Sequence, residues 1–418
     1  MAAVIDTSAP EPVGSARLRL DAPTKRTAPV IWWAGFGALT LAFIAFVLGR
    51  WVMGPWFTTV PSGPSAPPGW MKAALIFWQA FAVLGTLMLL YMLLIRPWRR
   101  EREVRTDGLL VGAFFLVFFQ DPLSSIFGDW FSWNAYLLNK GSWIYSIPGS
   151  EAYGKPGAAV VEPILGGFLW VWIAFGGAWF GAFVLRYATR RWPRLSPPVL
   201  IAAILFPIMM VFDFVLEGLV TIPTGLYVYS GGHLSLFPDA YNKYPLHEAV
   251  FAGATLSGLA ALRFFKNDRG ETIVERGVSD LRVGARKKVA LRFLALVCAC
   301  QLIPFLTYNL PSGWVAGAHS GTWPKAVQRL SYFTAHLCGA GTETLCPRDG
   351  VPLVANNSVQ IAPDGRLVVP AGSSAARLEG LPPGRSLTVR AGRRRLTVVP
   401  FSKGDVSPFS GPFIGNTN

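Results

Sequence analysis

Seven apolar stretches, each long enough to cross a bilayer, constrain this chain more than any other feature. A spanning helix needs about 20 apolar residues, and the stretches 31–53, 73–95, 108–127, 163–186, 198–222, 246–265 and 289–310 meet that length. In hydrocarbon every backbone polar group has to be satisfied within the segment, so the expected fold is an all-α integral membrane bundle of about seven helices. The balance of 52% hydrophobic and 15% charged residues agrees, since soluble domains carry about 25% charged residues.

The basic residues set the orientation. Arg17, Arg19, Lys25 and Arg26 precede the first span; Arg96, Arg99, Arg100, Arg102 and Arg105 follow the second. Arg186, Arg190, Arg191 and Arg194 follow the fourth, and nine Lys and Arg residues between Arg263 and Arg292 follow the sixth. The alternate loops hold only Lys72, Lys140, Lys155 and Lys243. Positive loops stay in the cytoplasm, so the N-terminus is expected there and the C-terminus outside, in a multi-pass protein of the plasma (inner) membrane. The formal charge of +15 is spread over these loops rather than gathered in one patch, which argues against a nucleic-acid partner. The first apolar run is too long for a signal-peptide core and reads as an uncleaved span.

Three parts follow: a disordered cytoplasmic segment 1–30, a transmembrane domain 31–310 and an extracytoplasmic tail 311–418. The tail is polar and rich in Gly and Pro. Short β-like runs flank Pro363-Asp364-Gly365, and a second pair flanks Arg390-Ala391-Gly392, so a small β-rich appendage, in part disordered, is expected. Outside the membrane, Cys338 and Cys346 could close a small disulfide loop or remain free thiols.

Polar residues inside the spans carry the functional information, because each costs roughly 2.5–3.5 kcal/mol at a helix centre. Asp121 lies about 13 residues into its span, roughly 20 Å deep. Asp213 and Glu217 sit one turn apart on one helical face, His247 and Glu248 open the sixth span, and Glu162 precedes the fourth. All share one depth toward the extracytoplasmic side. Neighbouring carboxylates in low dielectric cannot all ionise cheaply, and a carboxyl kept protonated is a general acid. Asp121, Asp213 and Glu217 are therefore the candidate catalytic set. The bland reading, that these acids satisfy backbone breaks or Trp and Tyr donors, stays open. So does a hard cation on the same carboxylates, but the four histidines form no metal box, and neither a metal nor a cofactor is assigned.

The stretch after the third span is aromatic and amide-rich. Trp133, Asn134, Tyr136, Asn139 and Trp143 suit the wall of a pocket for a bulky apolar ligand, and the aromatic residues equally suit an interfacial belt. With His247 and Glu248 they form the candidate substrate-binding set. The partners expected are a hydrophobic small molecule and the bilayer.

The Gln120-Asp121-Pro122 start, Trp133-Asn134-x-Tyr136, Asn139-x-Gly141-x-Trp143, Ile147-Pro148-Gly149, Asp213 with Glu217, and His247-Glu248 together resemble the AveC-like spirocyclase family of actinobacterial membrane proteins, over roughly residues 30–310. That family is named for a protein of macrolide (polyketide) biosynthesis that forms a spiroketal and dehydrates its product. The resemblance implies a membrane cyclase or dehydratase that adds or removes water at a ketone or hemiketal carbon without a redox cofactor. A proton-coupled transporter, with the acids as a relay, and a non-catalytic membrane subunit are the readings from other classes.

Overall fold

Each apolar run becomes a helix because its backbone can pair only with itself. The computed structural model describes residues 28–124, 131–150, 161–232, 234–318, 322–341 and 346, together with short strands in the tail. Among the described residues six helices are long and apolar enough to cross a membrane: α1 (Pro29–Val52), α2 (Gly69–Glu101), α3 (Thr106–Leu123), α4 (Gly166–Arg191), α5 (Pro197–Thr224) and α7 (Ala285–Val315). The remaining run forms α6 (Leu246–Phe264), about 28 Å long at 1.5 Å per residue. It falls short in apolarity rather than length. Glu248, Thr255 and Ser257 are buried in it, and its neighbours are α4 and α5, so its polar side chains face protein.

Two close approaches draw the bundle together. A Cβ at Gly37 of α1 would lie 1.9 Å from the Leu294 carbonyl oxygen of α7, and one at Gly181 of α4 would lie 2.5 Å from the Ala260 Cβ of α6. Only glycine permits backbones this near. At the basic end, Arg263 of α6 grips Asp107 of α3 through Nε at 3.0 Å and Nη2 at 2.7 Å. Arg292 of α7 holds the fully buried Glu275 at 2.7 Å and also donates to the Val104 carbonyl and Thr106.

The opposite end is closed by irregular structure. Strand β1 (Phe131–Trp133) pairs antiparallel with β2 (Tyr227–Tyr229), Phe131 opposite Tyr229 and Trp133 opposite Tyr227. Residues 322–341 pack over this strand pair: Ser132 Oγ donates to the Phe333 carbonyl at 2.7 Å, and the Ala135 amide to the Tyr332 carbonyl at 2.7 Å. Trp323, Val327, Phe333 and the Cys338–Cys346 disulfide belong to the same core as α1 and α2. The helix that begins at Ala285 runs past residue 310, where the sequence places the edge of the tail. Farther on, Gln360–Ile361 pairs with Leu367–Val368 and Leu387–Ala391 with Arg394–Val398; Arg390 and Ala391, which the sequence puts in a turn, lie in a strand. Residues 1–27, Asp129 and Trp130, His233, His319 and the turn at 363–365 lie outside the described residues.

Candidate active site

The membrane carboxylates meet where three helices lose regularity. Pro122 lies in the 3₁₀ turn Phe118–Ser124 that ends α3 and carries Asp121. In α5 the turn Phe214–Thr221 widens to a π-helix, a form found often at functional sites, and it carries Glu217 directly after Asp213. Pro304 in α7 precedes another π segment, Phe305–Asn309, with Tyr308 and Asn309. After α5 the chain turns at Gly225, φ 75°, against Met71, where a Cβ would clash at 2.5 Å. That turn returns β2 along α5 and lays its tyrosines on the acids.

The result is a cavity of about 50 Å³ lined by Asp121, Asp213, Glu217, Glu248, Tyr227, Tyr229, Tyr308, Trp133, Trp170, Gln120 and Asn309. Oxygens of Asp213, Glu217 and Glu248 all lie within 4.8 Å of one another. Tyr244 donates to Asp213 Oδ2 at 2.8 Å and Tyr229 to Glu217 Oε2 at 2.8 Å. Asp121 accepts the Trp133 indole at 2.6 Å and the Trp170 indole at 3.0 Å. Glu248 is 1% exposed, with the Tyr229 and Tyr308 hydroxyls beside its carboxylate. Among the described residues Asp213, Glu217 and Glu248 form no ion pair. This oxygen-rich trio has the spacing to hold a hard divalent cation, or to share protons. Glu162, in the loop before α4, stands beside Asp121; burial first, then the Asp121 charge, pushes its carboxyl well above the ordinary range.

The other sequence candidates are placed elsewhere. Asn134 is fully buried but clamps the turn, its Nδ2 donating to the Gly225 carbonyl at 2.9 Å and its Oδ1 accepting the Tyr136 amide at 3.0 Å. Asn139 staples its loop to Val60 by a reciprocal pair of bonds at 2.9 and 3.2 Å. Trp143 donates to the Phe119 carbonyl at 2.9 Å and packs on Trp51. Tyr136 is partly exposed under Lys72, and His247 packs on Phe251. None of these five lines the cavity; of the substrate-binding set, Trp133 and Glu248 do. Sequence reasoning missed Tyr229, Tyr244, Tyr308 and Trp170. Tyr308-Asn309 inside an apolar run was the readable signal; for Tyr229 and Tyr244, in connecting loops, nothing marked the partner.

A family model described as "Spirocyclase AveC-like" matches residues 98–333, more than half of the 418 residues. The chain belongs to the AveC-like spirocyclase family. The match runs from the basic end of α2 to Phe333, so it contains every residue that lines the acidic cavity and the first part of the segment that caps it. α1 and the tail strands fall outside it. No curated protein and no solved structure matches the chain.

Proposed function

We propose that this AveC-like protein is a membrane-embedded cyclase or dehydratase that works by acid–base chemistry, without a redox cofactor, on a hydrophobic polyketide- or lipid-like substrate. The observation that carries this reading is the convergence of Asp213, Glu217 and Glu248 in one cavity, with no ion pair to any of them among the described residues. Carboxylates this close and this dry repel one another strongly, so the set holds at least one proton among its members. A carboxylic acid there donates that proton to the hydroxyl of a hemiketal carbon. Water leaves, and an oxocarbenium-like centre forms that the remaining carboxylates steady. Attack by a second substrate hydroxyl closes the ring, its proton returning to a carboxylate; loss of a neighbouring C–H proton instead gives the alkene. Asp213 and Glu217 are the acid–base pair. Asp121, anchored by two indoles, stabilises positive charge, and Trp133 forms the apolar wall with Glu248 beside it.

The same reading places the basic loops in the cytoplasm and the end with the β1–β2 pair and the disulfide outside the plasma membrane, because disulfides persist in oxidising compartments. Asp213→Asn and Glu217→Gln keep shape and hydrogen-bonding capacity but cannot pass a proton. Each variant should insert and elute normally yet leave hydroxyketone precursor unconverted in a producing strain. Wild-type turnover in both would sink the assignment.

A further inference from the structure

We propose that a groove on the outer face between α1 and α7 is a lateral entrance, which seats the apolar length of an oxygenated long-chain molecule and presents its reactive part to the acidic cavity. The identity of the chemistry beyond the entrance rests on the cyclase reading; binding in the groove does not.

The volumes require such a place. At about 50 Å³ the acidic cavity takes a few waters, whereas a site for a drug-sized ligand spans roughly 300–1,000 Å³. The groove holds about 600 Å³, between Phe36, Thr40 and Phe43 of α1 and Leu302 and Phe305 of α7 and its π segment. Phe36, Phe43, Leu302 and Phe305 are all exposed.

Gln120 lines both spaces. Its Nε2 donates to the Gln301 side chain and, at 2.7 Å, to the Gln301 carbonyl, while its Oε1 accepts Asn309 Nδ2 at 2.8 Å. This amide chain is the partition. It sits where regular backbone bonding is already interrupted, at the 3₁₀ turn with Pro122 and at Pro304 with the π segment that follows. Parting it therefore costs fewer helical bonds than opening the bundle elsewhere.

The amides also choose the occupant. In the closed groove Thr40 donates to the Phe36 carbonyl, Gln120 to Gln301, and Gln301 to the Leu116 carbonyl. Parting the amides breaks the Gln120 bonds, and an ordinary acyl chain has no polar atom to replace them. A chain bearing keto or hydroxyl groups along its length does, and unpaired polar groups in hydrocarbon are costly.

The test uses the full chain in lipid nanodiscs and a diazirine-bearing long-chain keto fatty acid, with adducts mapped by peptide mass spectrometry. Labelling should concentrate on the peptides holding Phe36, Phe43 and Leu302, several-fold above Trp179 and Phe183, which are exposed on α4. Thr40→Trp should fill the groove and lower that labelling several-fold without changing α4; Leu302→Trp serves if the first variant fails to fold. A photoreactive phospholipid should not compete. Even labelling of α1, α4 and α7, an unchanged pattern in both Trp variants, or full competition by the phospholipid would each overturn the entrance and leave only annular lipid. Because labelling needs no turnover, Asp213→Asn and Glu217→Gln proteins should label normally. A wild-type chain that labels this way but converts nothing would refute the cyclase reading and leave the groove standing.

Discussion

Tyr229 donates its hydroxyl to Glu217 Oε2 at 2.8 Å, linking β2 to the π turn of α5. The bond fixes which carboxylate oxygen faces the cavity, and a second hydroxyl, that of Tyr308, lies 3.3 Å from the first. A strand pair outside the helices thus orients an acid inside them.

Tyr229→Phe removes this donor while keeping the ring that packs against Phe131 and Tyr227. A hydrogen bond to a charged acceptor contributes about 1.5–3 kcal/mol, so turnover should fall roughly 10- to 150-fold if the bond persists in the transition state. The check is product formation at saturating substrate, with thermal stability in detergent as the control. An unchanged rate would show that Glu217 needs no orienting partner.

Gly37→Ala should destabilise the bundle, because the new Cβ would lie 1.9 Å from the Leu294 carbonyl oxygen and backbone cannot step aside as a flexible side chain can. Overpacking of this kind costs about 1–3 kcal/mol. Gly35→Ala, with nothing within 4 Å of its Cβ, is the matched control and should be neutral or better. The measurement is the unfolding midpoint of both variants in one detergent.

The basic-side loop at 267–280 should loosen in acid. Burial acts to raise the Glu271 carboxyl, but hydrogen bonds from the Ser279 hydroxyl and amide, Asn267 and the Gly277 amide outweigh it and hold the group at about 2. A depressed folded-state value means that its stabilisation is full above the ordinary value of 4.5 and is lost as pH falls from there toward 2. Protection against hydrogen exchange at Gly277 and Ser279, taken relative to the intrinsic rate at each pH, should fall over that window and change little in Glu271→Gln. Acid-insensitive protection in the wild type would contradict the bonding described.

Reporter fusions after residues 60, 150, 235 and 330 should report the extracytoplasmic side, and fusions after 103, 192 and 280 the cytoplasm. The basic loops motivate this, and the position after 280 decides whether α6 crosses the membrane. An extracytoplasmic signal there would remove α6 from the spanning set and invert the side assigned to the loop at 267–280.

The helices of this protein were legible in its sequence because hydrocarbon leaves a backbone one choice, and that choice shows as length and apolarity. The Asp213–Glu217 face was legible for a related reason: two acids at i and i+4 in an apolar run must point together toward protein. The pairing of Asp121 with Trp133, a carboxylate and an indole from two separate motifs, could not be told from an interfacial belt by spacing. Asn134 and Asn139 misled because an amide that staples a loop and an amide that orients a ligand look alike until its partners, here Gly225 and Val60, are known. What only the tertiary structure decided was the company of the acids. Glu248 reaches Asp213 and Glu217 through the packing of α6 on α5, and Tyr229, Tyr244 and Tyr308 arrive from segments far apart in the chain. Side-chain convergence across helices depends on crossing geometry, close glycine contacts and broken turns, none of which leaves a periodic mark in one sequence.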